Sequence, residues 1–132
     1  NIKAAQTNFN TAYQLGPQFT DLAIYAAAGN FAVGDTATAD KVLQSVFGTT
    51  NVDSDILAVA YYRAKNWSRL IALWKVRAAA PDAGVEKWFS LAAAYYAAGD
   101  TVNAAATIRA AIAKFPEAAS AGADALKQIE GQ

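Results

Sequence analysis

The feature that most constrains the fold is the stretch of residues 88–116, where apolar residues recur at helical spacing on both sides of a Gly-Asp pair. The apolar set around Gly99-Asp100 is Trp88, Leu91, Ala92, Tyr95, Ala104, Ile108 and Ala111, with Pro116 closing the stretch. Apolar residues three or four positions apart form one face of an α-helix, and Gly-Asp is a turn signal. The stretch therefore predicts two antiparallel helices whose small residues let the backbones approach closely.

The same pattern returns along the chain with a period of about 34 residues. Ala5 and Ala39 are 34 residues apart, as are Leu70 and Ala104, whereas Ala39 and Leu70 are 31 residues apart. Because turns and inward-facing positions recur together, the sequence predicts a repeated helical hairpin. We expect one domain over residues 1–132, with a helix at 1–15, hairpins at 19–47, 53–80 and 84–115, and a terminal helix at 117–130.

The order of residues in 88–116 resembles the tetratricopeptide (TPR) signature, W-x2-L-G-x2-Y followed by A-x3-F and P. Ala92 stands where the family usually has Gly, and Ile108 where it usually has Phe. The resemblance implies an all-α, TPR-like α-solenoid of about eight antiparallel helices wound into a right-handed superhelix. It also implies a protein–protein interaction module. Residues 67–116 are similar to TPR tails of bacterial O-antigen-ligase-like membrane proteins, which favours a bacterial protein that is extracellular or in the cell envelope.

Composition excludes several classes of function. The chain has 132 residues, enough for one domain with a core, and 11 basic against 11 acidic residues give no reason to expect nucleic acid. Cys and His are absent, which removes disulfides, thiol chemistry and the usual zinc ligands. The apolar runs are far shorter than the ~20 residues of a membrane-spanning helix, so we expect no membrane insertion. A first residue other than Met indicates a removed upstream segment, lost by processing or by truncation.

No motif predicts an active site. Without His or Cys, catalysis would depend on Asp, Glu, Lys, Ser or Tyr. Asp53 and Asp55 flank one predicted helix start, and Asp82 and Glu86 flank another, where acidic side chains interact favourably with the helix dipole. Asp53 and Asp55 also lack the further oxygen ligands and the closing Glu of a calcium loop. We therefore interpret both pairs as capping groups and expect no enzyme activity, no cofactor and no metal.

TPR geometry implies a set of side chains that line a concave groove. The set is Ile24, Phe31, Val59, Tyr62, Arg63, Phe89 and Tyr96. Such a groove would bind an extended peptide or a helix of a partner protein. The alternative is that neighbouring helices cover these residues. The groove positions carry none of the Lys and Asn pattern of TPR domains that bind chaperone carboxylates, so we expect no chaperone tail as ligand.

The resemblance also implies a mismatch between the two ends of the chain. The first helix matches the second helix of a TPR hairpin, and the last helix matches the first, so each lacks its partner. Packing copies head to tail would restore both pairs and would produce a ring or an open filament. The predicted end contacts are Ile2, Phe9, Tyr13, Ala125, Leu126 and Ile129.

Two further features bear on this hypothesis. The first half of the chain is acidic and residues 63–77 are basic, which indicates either solvated helix faces or ordered association of copies. We expect the uncharged polar side chains of the first helix, among them Gln6 and Asn10, to face outward. The alternative hypothesis is a monomeric adaptor whose groove binds a peptide or another protein.

Overall fold

The computed structural model describes residues 2–15 and 20–131, and the side chains of residues 2, 9 and 12–15 lie outside this description. Within these ranges the chain forms eight α-helices: α1 (Ile2–Leu15), α2 (Thr20–Ala32), α3 (Thr36–Phe47), α4 (Asp55–Arg63), α5 (Trp67–Ala79), α6 (Val85–Ala97), α7 (Thr101–Lys114) and α8 (Ala119–Glu130). No strand occurs in the two ranges, so the all-α class is confirmed. The TPR-like superhelix remains a prediction.

The helices group into two compact units, Asn1–Asn66 and Trp67–Gln132. Helices α1 to α4 belong to the first unit, and α5 to α8 to the second. The predicted hairpin at 53–80 therefore contributes one helix to each unit. A single domain over the whole chain remains a prediction.

Helix α2 is the central element of the first unit, where it packs against α1, α3 and α4. Its buried face carries small residues such as Ala26, which is fully buried and lets these neighbours approach closely. Leu43 and Leu57 fill the space beside it and are also fully buried. The Phe31 and Tyr61 rings meet edge to face, with centroids 4.9 Å apart and an interplanar angle of 73°. Such a pair stabilises the packing by about 1 kcal/mol beyond the area it buries.

In the second unit, α6 packs between α5 and α7, and α7 also packs against α8. The apolar core includes Leu73, Leu91 and Ile108, each at least nine-tenths buried. Gly122 on α8 is buried, and a Cβ atom at that position would come closer than 3.0 Å to two side-chain carbons of Ile112. The missing side chain of Gly122 therefore sets how closely α8 approaches α7.

Three hairpin turns share one hydrogen-bonding pattern. At each turn one residue adopts a left-handed backbone conformation: Gly34 and Gly99 with φ of 82°, and Lys65 with φ of 56°. The next amide closes the turn in each case: Asp35 N to Asn30 O at 2.8 Å, Asn66 N to Tyr61 O at 2.8 Å, and Asp100 N to Tyr95 O at 2.9 Å. This is the Schellman arrangement of a helix C-terminus. The repetition predicted from the sequence is therefore present at the level of the turns.

Two of these turns also begin the next helix with an aspartate cap. The carboxylate of Asp35 accepts hydrogen bonds from the Thr38 amide at 3.1 Å and from the Thr38 hydroxyl at 2.8 Å. The carboxylate of Asp100 accepts from the Asn103 amide at 3.0 Å and from its side-chain nitrogen at 2.7 Å. These bonds favour the charged carboxylates, so they lower the pKa of both groups below the usual 3.8. Asp35 and Asp100 are therefore the N-caps of α3 and α7.

The last helix begins later than the sequence predicts. Residues Pro116–Ala118 form a 3-10 turn, and α8 starts at Ala119 rather than at residue 117. Phe115, which precedes Pro116, adopts φ of −127° and ψ of 79°, outside the helical region, and so separates α7 from the 3-10 turn.

Candidate functional site

An apolar pocket of about 240 Å³ opens in the second unit between α6, α7 and α8. Its lining consists of Phe89, Ala92, Ala93, Tyr96, Ile108, Ala121, Ala125, Gln128 and Ile129. Two predicted groove residues, Phe89 and Tyr96, thus lie with two predicted end residues, Ala125 and Ile129. The sequence places these pairs in separate sites, and the structure brings them to one.

Helical spacing explains how these residues come to face the same space. Phe89, Ala93 and Tyr96 follow one face of α6, and Ala121 and Ala125 follow one face of α8. Buried Ile108 on α7 forms the floor. The lining alanines are too small to fill the space between the two helices, so a pocket remains. We refer to it as the α6–α8 pocket.

The polar groups at the pocket are few and uncharged. The Tyr96 hydroxyl and the Gln128 amide are the polar side-chain groups of the lining, and Tyr96 is 42% exposed. Acidic side chains stand nearby on the same helices, since Glu86 precedes Phe89 by three positions and Asp124 precedes Gln128 by four. Both are exposed. The pocket therefore suits an apolar side chain whose neighbours are polar or basic.

A second exposed apolar surface lies on α4 in the first unit. Ile56, Val59 and Tyr62 are 37%, 51% and 60% exposed, and their spacing puts them on one side of the helix. The opposite side is buried through Leu57 and Tyr61. We call the exposed residues Ile56, Val59 and Tyr62 the α4 stripe. Arg63, also exposed, adjoins it.

The remaining predicted groove residues lie on α2. Ile24 is half-buried. Phe31, by contrast, is 1% exposed because the Tyr61 ring packs against it, so it belongs to the core of the first unit and does not line an open groove.

The predicted end residues are only partly described. The side chains of Ile2, Phe9 and Tyr13 lie outside the described residues, so their role stays a prediction. Ala125, Leu126 and Ile129 are half-buried on α8. Ile129 also borders a second opening between α7 and α8, beside an ion pair between Arg109 and Glu130 at 2.8 Å.

Nothing matched this chain among the protein-family models, curated proteins and solved structures with which it was compared. The functional interpretation of the candidate surfaces therefore depends on the chemistry of their residues alone.

A buried amide cluster joins α1 to α2, and the sequence reasoning missed it. The fully buried Asn30 accepts a hydrogen bond from the Gln6 amide nitrogen. Its own nitrogen donates to Asn10 Oδ1 at 2.9 Å and to the Ala26 carbonyl at 2.8 Å. The expectation that Gln6 and Asn10 face outward is therefore wrong, because both turn toward Asn30. An Asn in the position of Tyr61 and Tyr95 was the available signal.

Basic side chains lie against aromatic rings in the second unit. Arg77 and Lys87 approach the Trp74 ring at 4.7 and 5.9 Å from its centroid. Lys114 approaches the Trp88 ring at 5.4 Å. The indole N–H of Trp88 is buried, and no acceptor for it occurs in the described part of the chain. Of these three side chains, Arg77 belongs to the basic stretch of residues 63–77, so local packing accounts for part of that stretch.

The acidic pairs show no metal-binding arrangement in the described ranges. No three acidic side chains there converge as the ligands of a cation would. Ser54, which stands between Asp53 and Asp55, caps α4 by accepting a hydrogen bond from the Leu57 amide at 3.3 Å. Over the same ranges, none of the helices combines the length and apolar character required to cross a membrane.

Proposed function

We propose that this chain is a non-catalytic, TPR-like interaction module whose copies associate head to tail through the α6–α8 pocket. The observation that supports this best is the pocket itself, whose apolar lining opens to the surface and holds no charged side chain. An enzyme site would need acid, base or nucleophilic groups that converge on a substrate. A docking site for an apolar side chain needs a cavity of suitable size with a polar surround.

The repeated turns favour a solenoid as the scaffold for this function. Three turns of the same geometry follow α2, α4 and α6, so each of these helices ends in the same way. In helical-repeat proteins, stacked hairpins present extended surfaces to partners. A solenoid whose two end surfaces differ forms a head-to-tail contact, which closes into a ring or continues as a filament or tube.

Sizing of the purified chain together with negative-stain microscopy tests the assembly. We expect wild-type protein to form polymers whose length increases with concentration, and Ile129→Asp to abolish them because it places a charge in the pocket lining. Lys127→Asp is the control, since Lys127 is an exposed residue of α8 outside the pocket lining. Circular dichroism establishes that both variants remain helical. A wild-type chain that stays monodisperse at high concentration refutes self-assembly.

A monomeric adaptor is the second candidate, and the exposed α4 stripe favours it. The α6–α8 pocket and this stripe are apolar surfaces that a peptide or helix of another protein could cover. The adaptor predicts a monomer that selects short peptides with an apolar anchor from a random library. Peptides selected by wild-type protein should lose binding to Ile129→Asp if they occupy the pocket or to Val59→Asp if they cover the stripe, and keep it with Lys127→Asp.

A further inference from the structure

We propose that the α4 stripe of one copy docks in the α6–α8 pocket of a second copy. The inference depends on the proposed self-assembly and names its two surfaces from described residues. It differs from the contact expected from the sequence, in which the first helix of one copy would cover the last helix of the next. The proposed occupant is therefore a helix of this same protein.

The sizes of the two surfaces are compatible. The pocket measures about 240 Å³, and an apolar cavity of roughly 150 Å³ accommodates a benzene molecule. The pocket can therefore hold the ring of Tyr62 or the branched side chain of Val59. Both project from the exposed side of α4, with 60% and 51% of their surface open to solvent. Burial of such side chains removes apolar surface from water, which favours the contact.

The charges at the C-terminal end of the α4 stripe are opposite in sign to those beside the pocket, whereas the N-terminal end of the stripe carries the exposed Asp55. Exposed Arg63 and Lys65 lie at the C-terminal end of the α4 stripe. Exposed Glu86 and Asp124 lie beside the pocket, and its lining contains no basic residue. Opposite charges at the margin of a contact accelerate association and select the orientation, and salt weakens them. A chain with equal numbers of acidic and basic residues can thus still attract copies of itself in one orientation.

The two surfaces belong to different elements, so the contact is heterologous. Each copy in a contact uses its stripe or its pocket and retains the other surface for a further copy. Assembly then continues until a ring closes or a filament forms. A copy with one defective surface can still accept one neighbour through the intact surface, which makes the inference testable by mixing variants.

Two variants each remove one surface. Val59→Asp places a charge in the stripe, and Ala93→Phe fills the pocket from an exposed position of its lining. Val76→Asp is the matched control, because Val76 is 56% exposed, against 51% for Val59, and lies outside both surfaces. Tyr62→Asp and Ala121→Phe are second variants for the two surfaces should either first variant lose its helical circular dichroism. Sedimentation velocity measures the assembly state of each.

We expect Val59→Asp and Ala93→Phe to weaken self-association at least about tenfold, a loss typical of residues central to an interface. Val76→Asp should assemble like wild type. An equimolar mixture of Val59→Asp and Ala93→Phe should form a one-to-one dimer and nothing larger, since the intact stripe of one fits the intact pocket of the other. High salt should shift this dimer toward monomers.

The results separate this inference from the function it depends on. Wild-type protein that never associates refutes self-assembly and the stripe-in-pocket contact together. If the Val59→Asp and Tyr62→Asp variants still polymerise like wild type, only the α4 stripe is refuted as the docking surface. Loss of polymers in the Phe9→Asp variant would then indicate the contact through α1 instead. A mixture of defective variants that stays monomeric, or that polymerises, also contradicts the pairing.

Discussion

The close approach of α8 to α7 can be tested by adding a single methyl group. Gly122→Ala should gain about 1 kcal/mol of helix propensity. The added Cβ would also come closer than 3.0 Å to Cδ1 and Cγ1 of Ile112, and overpacking of this kind costs about 1–3 kcal/mol. We therefore expect the substitution to lower the free energy of unfolding by about 1 kcal/mol.

The effect of Gly122→Ala on the free energy of unfolding should change sign when Ile112 is truncated. Ile112→Ala removes both carbons, and the next nearest atom, Ile108 Cγ2, lies at an ordinary 3.5 Å from the added Cβ. In that background Gly122→Ala should stabilise the protein by about 0.5–1 kcal/mol through helix propensity. The coupling free energy between the two sites would then be about 1.5–2 kcal/mol, within the range known for residues in contact.

Urea denaturation followed by circular dichroism measures all four proteins of this cycle, with an unchanged slope as the check on two-state behaviour. A Gly122→Ala variant that is more stable than wild type refutes the argument, and so does a penalty that persists when Ile112 is alanine. The first result would mean that α8 or the Ile112 side chain can move at little cost, and the second that the penalty has a source other than Ile112.

Three further predictions follow from the turns, the caps and the buried amide. Asn30→Ala should lower the free energy of unfolding by about 2–4 kcal/mol in chemical denaturation, because it leaves its amide partners unpaired and opens a cavity; an effect below about 1 kcal/mol would contradict the cluster. Lys65→Gly should stabilise by about 1 kcal/mol by removing left-handed strain, whereas Gly34→Ala should destabilise by a similar amount; equal signs would refute this. Asp35 and Asp100 have a lower pKa folded than unfolded, so the stability they contribute is complete above pH 3.8 and is lost as the pH falls through the lowered values. The double variant Asp35→Asn with Asp100→Asn, which keeps the caps, should show a flatter loss of stability in acid than wild type.

Local chemistry is what the sequence predicts well. Glycine at Gly34 and Gly99 permits the left-handed conformation, and the aspartate after each glycine caps the following helix, so the turns and most helix bounds could be placed. The hairpin at 53–80 was also predicted from the repeated pattern, although its turn has Lys65 rather than glycine in the left-handed conformation.

What the sequence could not show depends on distances between helices. The amide cluster joins Asn30 to residues 20 and 24 positions earlier, and helical periodicity alone assigned these residues to an outer face. Phe31 has the spacing of a groove residue, but the Tyr61 ring covers it. The α6–α8 pocket exists because alanines face each other across a gap. The width of that gap depends on how closely the helices pack, which the sequence pattern does not show.

The buried Asn30 side chain on α2 restricts which helix can pack against this side of the first unit. The oxygen and both hydrogens of the Asn30 side-chain amide are used only while Gln6 and Asn10, one helical turn apart, sit above it. A purely apolar helix of the same shape in place of α1 would leave the buried Asn30 amide without hydrogen-bond partners. A shift of α1 by one residue would do the same. The contact between α1 and α2 is therefore selective for polarity, because Asn30 forms its hydrogen bonds with a pair of amide side chains and cannot form them with apolar ones.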